Sequence, residues 1–156
     1  MPEGLTPTFG SRFVPCFQGD SFATLFVVDT PPHVLIVDDD DEHALMTARL
    51  LRHEGFTVTT WRGAFGASIE ARTIQPDVVL LDVEMPALSG DRLAPLLRES
   101  TSGQATLIVL HSSRDEADLR AIATETGADG YIPKGTAGPA MAAKLRGWLE
   151  ARGQGA

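Results

Sequence analysis

Short apolar runs alternate with segments of helical periodicity along most of this chain, from residue 33 onward. A continuous run of Val, Ile and Leu is typical of a strand that is buried on both faces. Such runs, with two weaker ones, predict strands at 34–37, 56–61, 78–81, 107–110 and 130–132. Apolar residues spaced three and four apart predict helices at 44–51, 64–73, 90–99, 119–126 and 141–149.

Three residues mark or complicate the expected helix ends. Gly55 and Gly127 follow the first and fourth helical segments, where glycine commonly adopts the left-handed conformation that ends a helix. Pro95 lies inside the third segment, and proline in a helix interior removes a hydrogen bond and clashes with the preceding turn. A late start or a kink of the third helix is therefore expected.

Five strands in alternation with five helices predict an α/β protein, with a doubly wound, five-stranded parallel sheet covered by helices on both faces. The length of 156 residues suits one domain, which we place at residues 33–151. Residues 1–32, rich in Gly, Pro, Ser and Thr, are expected to form a flexible N-terminal extension, and residues 152–156 a tail. Within the extension, residues 22–28 suit either a strand or a segment that docks on the domain or on a partner.

The composition narrows the classes of partner. The formal net charge is −8 and the Lys and Arg residues form no cluster, which is against a nucleic-acid or anionic-membrane surface. No stretch approaches the roughly 20 apolar residues of a transmembrane helix, and no basic segment followed by an apolar run indicates a signal peptide. Cys16 is the only cysteine, so an intramolecular disulfide is excluded and a cytoplasmic location is expected.

Charged and hydroxyl side chains follow the apolar runs, at the ends of the predicted strands. In a doubly wound sheet these ends form one edge, where ligands bind near the point at which the strand order reverses. Carboxylates gathered there stay ionised most readily around a cation, and oxygen ligands suit Mg²⁺ or Mn²⁺. A carboxylate can also act as a nucleophile, while a lysine and a hydroxyl stabilise a transferred phosphoryl group. The candidate residues are Asp38, Asp39, Asp40, Asp41, Asp82, His111, Ser112, Ser113, Pro133 and Lys134.

Four motifs together resemble the receiver domain of two-component response regulators, which has a flavodoxin-like fold. Their spacing is what makes the resemblance specific, because 43 positions separate Asp39 from Asp82, 30 separate Asp82 from Ser112, and 22 separate Ser112 from Lys134. The similarity extends from about residue 33 to residue 149. The motifs are LIVDD at 35–39, LLDVEMP at 80–86 with Gly90, Ser112, and YIPK at 131–134.

The resemblance implies the residues of a cation and phosphoacceptor site. Asp82 is expected to accept the phosphoryl group, and Lys134 to pair with that group. Asp38 and Asp39 are expected to bind Mg²⁺ or Mn²⁺, with Asp82 and the backbone carbonyl of Glu84 as the further protein ligands.

The resemblance also implies switch residues and a signalling role. Ser112 is the expected switch hydroxyl and Tyr131 the expected switch aromatic, although Tyr131 also suits ordinary core packing. The phosphoryl group is expected from a histidine kinase or a histidine phosphotransfer protein. The domain is expected to be a stand-alone switch rather than a turnover enzyme, apart from catalysing its own phosphorylation and dephosphorylation. It is expected to act through contacts with an unidentified protein target, with a homodimer as one option.

Two other functions stay open at this point. A pseudo-receiver would keep the fold as a binding module that is not phosphorylated. A phosphatase resembling the haloacid dehalogenase superfamily would use the Asp-x-Asp pattern that begins at Asp38. That family has Thr or Val where this chain has Glu42, and the phosphatase interpretation leaves the motif around Asp82 unexplained.

Several polar residues near the expected site are interpreted as structural. Asp40 and Asp41 suit the N-terminus of the first helix, where acidic side chains cap backbone N–H groups. His111 neighbours Ser112, but alternation along the strand points its side chain the other way. The histidines show no metal-ligand spacing with a cysteine, and all are interpreted as structural: His33, His43, His53 and His111.

Overall fold

The computed structural model describes residues 11–16, 24–85, 88–101 and 105–154, with side chains described between residues 30 and 152 of these ranges. The strands are β1 Ser11–Cys16, β2 Thr24–Asp29, β3 His33–Asp38, β4 Thr57–Arg62, β5 Val78–Asp82, β6 Leu107–Ser112 and β7 Gly130–Pro133. The helices are α1 Asp41–His53, α2 Ala67–Ile74, α3 Gly90–Ser100, α4 Glu116–Thr126 and α5 Gly138–Gln154.

Strands β3 to β7 form one parallel sheet in the order β4-β3-β5-β6-β7. The chain moves outward from β3 to β4, then returns to the other side of β3 with β5 and continues to β7. The strand order therefore reverses at β3 and β5, and a ligand site is expected beyond their carboxyl ends. The predicted doubly wound fold with five parallel strands and five helices is confirmed.

The sheet is buried on both faces, as its wholly apolar strands predicted. Along β3, Val34 and Ile36 pack into the cluster formed with α1 and α5, while Leu35 and Val37 pack into the cluster formed with α2, α3 and α4. The same alternation holds in β5 and β6, whose apolar residues are also nearly inaccessible to solvent. A side chain in register with Val34 therefore faces α1 and α5, and one in register with Leu35 faces α2, α3 and α4.

The N-terminal residues that are described form a separate two-stranded sheet. β1 and β2 pair antiparallel, with Ser11 opposite Asp29 and Cys16 opposite Thr24. The strand option for residues 22–28 corresponds to β2. β1 was not predicted, because the Gly-, Pro-, Ser- and Thr-rich composition of this segment indicated a flexible extension, and Pro15 within it is unfavourable in a strand. The flexibility expected of residues 1–32 stays a prediction.

The helix ends follow the sequence signals with one exception. The carboxylate of Asp40 accepts the backbone N–H of His43 at 3.2 Å and so caps α1, and Gly127 ends α4 with a φ of 71°. The helix predicted at 90–99 is present, and of the late start or kink expected from Pro95 the late start is wrong, because α3 begins at Gly90 and continues through Pro95. The N–H of Gly90 donates to the carbonyl of Val83 at 2.9 Å, so a tertiary contact fixes the start of this helix.

Helix α5 extends beyond the predicted end of the domain at residue 151 and reaches Gln154. No helix among the described residues is both long and apolar enough to cross a membrane.

Gly90 holds the loop after β5 against the start of α3, and its substitution provides a test of that contact. A Cβ at Gly90 would overlap the carbonyl oxygen of Asp82 and lie 2.8 Å from Cα of Val83. We expect Gly90→Ala to lower the free energy of unfolding by roughly 1 to 3 kcal/mol, because the backbone must shift. Chemical denaturation of the purified chain measures this change.

Gly147 provides a matched control within α5, because no atom lies within 4 Å of a Cβ placed there. Gly147→Ala is expected to raise the free energy of unfolding by about 0.5 to 1 kcal/mol, since alanine is the better helix former. Equal effects of the two substitutions would contradict the close packing at Gly90.

Candidate functional site

Three carboxylates meet where the strand order reverses. Asp38 ends β3 and Asp82 ends β5, and their side chains are only 1% and 3% exposed. Both are in register with the residues that face α1 and α5, so both point to the same side of the sheet. Each contributes an oxygen to a group with the half-buried Asp39, and these oxygens all lie within 4.8 Å of one another.

This cluster fits a hard divalent cation. The oxygen separations suit ligation of one ion, because Mg²⁺ binds oxygen at about 2.1 Å and opposite ligands are then about 4.2 Å apart. Carboxylate donors also match the chemistry of Mg²⁺ or Mn²⁺ better than that of softer metals. Asp38, Asp39 and Asp82 are therefore the described residues that could hold such an ion.

Lys134 lies beside two of these carboxylates. Its Nζ is 3.3 Å from Oδ2 of Asp38 and 3.5 Å from Oδ2 of Asp82, with 19% of the side chain exposed. The residue directly follows β7, and its backbone N–H donates to the carbonyl of Ser112 at 2.8 Å. Pairing of β7 with β6 therefore brings a positive charge to the ends of β3 and β5.

The two buried carboxyl groups have different electrostatic environments. Burial raises the pKa of Asp38, but hydrogen bonds and the charge of Lys134 outweigh burial and bring the pKa below its ordinary value. Burial also raises the pKa of Asp82, and the adjacent Asp38 charge adds to this rise, so that the pKa reaches about 7. In the absence of a cation, ionisation of Asp82 therefore costs more than ionisation of Asp38.

Ser112 is completely buried at the end of β6, one strand from Asp82. Its side chain is in register with Ile108 and Leu110, so it lies on the face covered by α2, α3 and α4. Its hydroxyl oxygen accepts the backbone N–H of Arg114 at 3.3 Å. The switch role predicted for Ser112 stays a prediction.

Tyr131 connects β7 to α4. Its hydroxyl donates to the carboxylate of Glu116 at 3.1 Å and accepts from the guanidinium of Arg120 at 3.4 Å. The ring is partly buried and packs against the cluster formed with α2, α3 and α4. Its surroundings are compatible with both of the interpretations made from the sequence, a switch aromatic and a packing residue.

Glu84 lies at the rim of the site. Its backbone N–H donates to Oδ1 of Asp82 at 3.1 Å, while its side chain pairs across the surface with Arg114, with Nε 3.2 Å from Oε1. The use of its backbone carbonyl as a cation ligand stays a prediction. Asp40 caps α1 and the exposed Asp41 lies 3.2 Å from Arg62, so the structural interpretation of both aspartates agrees with their contacts.

Two histidines that the sequence analysis interpreted as structural lie near the carboxylates. Nδ1 of His43 lies 2.9 Å from Oδ2 of Asp38. His111 is opposite Asp82 in the β5–β6 ladder and is in register with Val109, so it lies on the same face as Asp38 and Asp82. The alternation of side chains along β6 correctly predicted that His111 points away from Ser112. The same alternation, applied to β3 and β5 as well, would have predicted that His111 lies on the face of Asp38 and Asp82.

The raised pKa of Asp82 predicts a stability penalty in the metal-free chain. A folded state that raises an acid's pKa binds the proton more tightly than the unfolded chain does, so this group lowers stability progressively as the pH rises from about 4 to 7. Asp82→Asn removes the penalty. We expect the variant's advantage in unfolding free energy over wild type to grow by roughly 2 kcal/mol between about pH 5 and 8.

Urea unfolding at each pH in the presence of a chelator measures this difference, and groups that titrate alike in the two proteins cancel from it. Asp41→Asn is the control, because that carboxylate is 59% exposed and lies outside the cluster. A difference between Asp82→Asn and wild type that does not change with pH would contradict the raised pKa.

Comparisons with curated proteins point to one family. The family profile described as "Response regulator receiver domain" matches residues 34–146. The probable transcriptional regulatory protein TcrX of Mycobacterium tuberculosis is 33% identical over 123 residues, which are 79% of this chain and 52% of TcrX. Protein PetR of Rhodobacter capsulatus is 37% identical over 105 residues, 67% of this chain and 43% of PetR. The chain thus spans about half the length of the curated relatives it matches.

Solved receiver structures share the fold. The receiver domain of Klebsiella pneumoniae RstA, activated with BeF3, is 30% identical, with a TM-score of 0.65 over 75% of this chain and 97% of that chain. A CheY-like receiver domain protein from Methanospirillum hungatei has a TM-score of 0.70 at 21% identity, over 81% of this chain and all of that chain, and supports the fold alone. The chain therefore belongs to the response regulator receiver domains of two-component systems.

Proposed function

We propose that this chain is a phosphorylation-dependent switch that accepts a phosphoryl group on Asp82 from a histidine kinase or a histidine phosphotransfer protein. The main support for this proposal is the position of Asp82. The carboxylate of Asp82 ends a central strand within a cluster of three aspartates, and Nζ of Lys134 lies 3.5 Å from its Oδ2. A nucleophile, a cation site and a positive charge for the phosphoryl oxygens are thus gathered at one point.

The contacts of the two buried aspartates favour Asp82 as the nucleophile. Asp38 has three donors at hand, the backbone N–H of Asp40 and the side chains of His43 and Lys134. Asp82 accepts the N–H of Glu84 and shares Lys134 with Asp38. The less fully hydrogen-bonded carboxylate is the better nucleophile, and this argues against the phosphatase alternative, in which Asp38 would attack.

The transfer forms a bond between a carboxylate oxygen of Asp82 and phosphorus, while the phosphorus–nitrogen bond to the donor histidine breaks and returns its electron pair to the imidazole. Asp82 must be ionised to attack, and Lys134 favours that form. Asp38, Asp39 and Asp82 would hold a Mg²⁺ ion, with the backbone carbonyl of Glu84 as a further ligand, and the ion would supply positive charge to the carboxylates and the phosphoryl oxygens.

Ser112 and Tyr131 are the proposed route from the site to the surface. The hydroxyl of Ser112 accepts from Arg114 and keeps its own proton for a phosphoryl oxygen. Tyr131 is held against α4 through Glu116 and Arg120, at the side of the domain formed by α4 and β7. A displacement of the loop after β6 toward Asp82 would disturb these contacts, and a cytoplasmic target protein would bind the altered surface.

The phosphoacceptor role is tested by intact mass spectrometry after incubation with Mg²⁺ and acetyl phosphate. Wild type is expected to gain one phosphoryl group, chelation of Mg²⁺ is expected to prevent the gain, and Asp82→Asn is expected to gain none. Asp41→Asn, with its exposed carboxylate outside the cluster, is the matched control and should behave as wild type.

Two results would contradict this assignment. The absence of an adduct in wild type would make the chain a pseudo-receiver. An adduct that survives Asp82→Asn and is lost in Asp38→Asn would make Asp38 the nucleophile, as in the phosphatase alternative.

The two lysines of the chain allow a matched test of the proposed charge stabilisation. Lys134→Met removes the ammonium beside Asp38 and Asp82, and we expect phosphorylation by acetyl phosphate to slow by roughly tenfold or more. Lys144→Met removes an exposed charge from α5 and should leave the rate unchanged. Time-resolved mass spectrometry measures both rates, and equal rates for the two variants would rule out this role of Lys134.

A further inference from the structure

An imidazole outside the receiver motifs lies against the carboxylate cluster. His43 is the third residue of α1, and its Nδ1 lies 2.9 Å from Oδ2 of Asp38. Helical side chains lean toward the N-terminus of their helix, and α1 begins just after the end of β3. His43 therefore reaches back to the site, with 22% of its side chain exposed.

The hydrogen bond between His43 and Asp38 has one possible direction. Oδ2 of Asp38 faces the ammonium of Lys134 at 3.3 Å, which is the arrangement of an ionised carboxylate. An ionised carboxylate only accepts hydrogen bonds, so Nδ1 of His43 carries a proton and donates it. A hydrogen bond to a charged acceptor is shorter and stronger than one between neutral groups.

His43 would be the donor left on Oδ2 of Asp38 in the proposed reaction. Oδ1 accepts the backbone N–H of Asp40 at 3.0 Å, while Oδ2 is shared by His43 and Nζ of Lys134. The flexible side chain of Lys134 is proposed to turn toward the phosphoryl oxygens. The carboxylate plane of Asp38 is then fixed by Asp40 at one oxygen and by His43 at the other.

A second imidazole limits the freedom of the His43 ring. The rings of His43 and His111 have centroids 5.2 Å apart and are tilted by 36°. His111 is itself fixed, because its Nδ1 donates to the carbonyl of Ile132 at 2.8 Å and only 2% of the residue is exposed. Burial lowers the pKa of His111 to about 4, so this ring is neutral at physiological pH and places no positive charge beside the carboxylates.

We propose that His43 is a positioning residue of the cation site, which holds the carboxylate of Asp38 in the orientation that a divalent cation requires. It does so without binding the ion, because the described residues whose ligand atoms lie within 4.8 Å of one another are Asp38, Asp39 and Asp82. The inference rests on the proposed function in assigning Asp38 to that site. Its physical basis is that Mg²⁺ demands near-ideal geometry, so a carboxylate free to rotate binds it less well.

The test is calorimetric titration of the full chain with Mg²⁺ alone at neutral pH. His43→Phe keeps an aromatic ring packed against His111 but removes the Nδ1–H donor to Asp38. We expect Mg²⁺ to bind this variant about 10- to 100-fold more weakly. His43→Asn restores an N–H at the position of Nδ1, and its affinity should lie closer to that of wild type than to that of the phenylalanine variant. His53→Phe is the matched control on the same helix, where 87% of the side chain is exposed, and should bind as wild type does.

The outcomes separate this inference from the proposed function. A wild-type chain that binds no Mg²⁺ would overturn the cation site itself. A wild-type chain that binds Mg²⁺, with His43→Phe equal in affinity or His43→Asn no better than His43→Phe, would overturn the role of His43 alone. If thermal melting without Mg²⁺ shows that His43→Phe is unfolded, His43→Leu takes its place in the comparison with His43→Asn. The inference then requires that His43→Asn bind Mg²⁺ more tightly than His43→Leu.

A second readout needs no metal. Nitrogen NMR of the histidine side chains in the metal-free chain should show His43 protonated at Nδ1 and coupled to Asp38, with this signature altered in Asp38→Asn and unchanged in Asp41→Asn. A His43 ring with its proton on Nε2 alone would overturn the proposed hydrogen bond.

Discussion

The mutual repulsion of Asp38 and Asp82 is the constraint on which the site depends. A parallel sheet whose strand order reverses at β3 and β5 necessarily places the ends of these strands side by side, and both ends carry a buried carboxylate. Lys134 offsets this repulsion only in part, because the pKa of Asp82 still rises to about 7 through burial and the charge of Asp38. A site with unbalanced negative charge favours a cation, and with the cation it favours ionised Asp82, which is the form that can accept a phosphoryl group.

Most of the fold could be predicted from the sequence, because its signals are local and agree with one another. The apolar runs at 78–81 and 107–110 predicted strands buried on both faces, and Gly127 predicted the end of α4. The packing at the start of α3 could not be predicted, because it depends on a hydrogen bond from Gly90 to Val83 and on close packing against the backbone of Asp82. β1 was missed because the Gly-, Pro-, Ser- and Thr-rich composition indicated a flexible segment, whereas pairing with β2 forms a strand there.

The aspartates and Lys134 could be predicted as neighbours because they end strands of one sheet, and the sheet brings strand ends together. The position of His43 could not be predicted, because its contact with Asp38 depends on how α1 crosses the edge of the sheet. A sequence separation of five residues does not by itself indicate such a contact. The face of His111 could have been predicted, because it is in register with Val109, but all histidines were interpreted as structural. Two imidazoles that none of the receiver motifs includes therefore lie beside the acidic site, His43 in contact with Asp38 and His111 next to the ring of His43.

The most direct test of this account is a crystal structure of the chain grown with Mg²⁺ and beryllofluoride, which mimics a phosphoryl group on an aspartate. The account predicts beryllium bonded to a carboxylate oxygen of Asp82, Mg²⁺ on Asp38 and Asp39, and Nζ of Lys134 within hydrogen-bond distance of a fluorine. Beryllofluoride bonded to Asp38, or its absence from a site that holds Mg²⁺, would contradict the assignment of Asp82 as the phosphoacceptor.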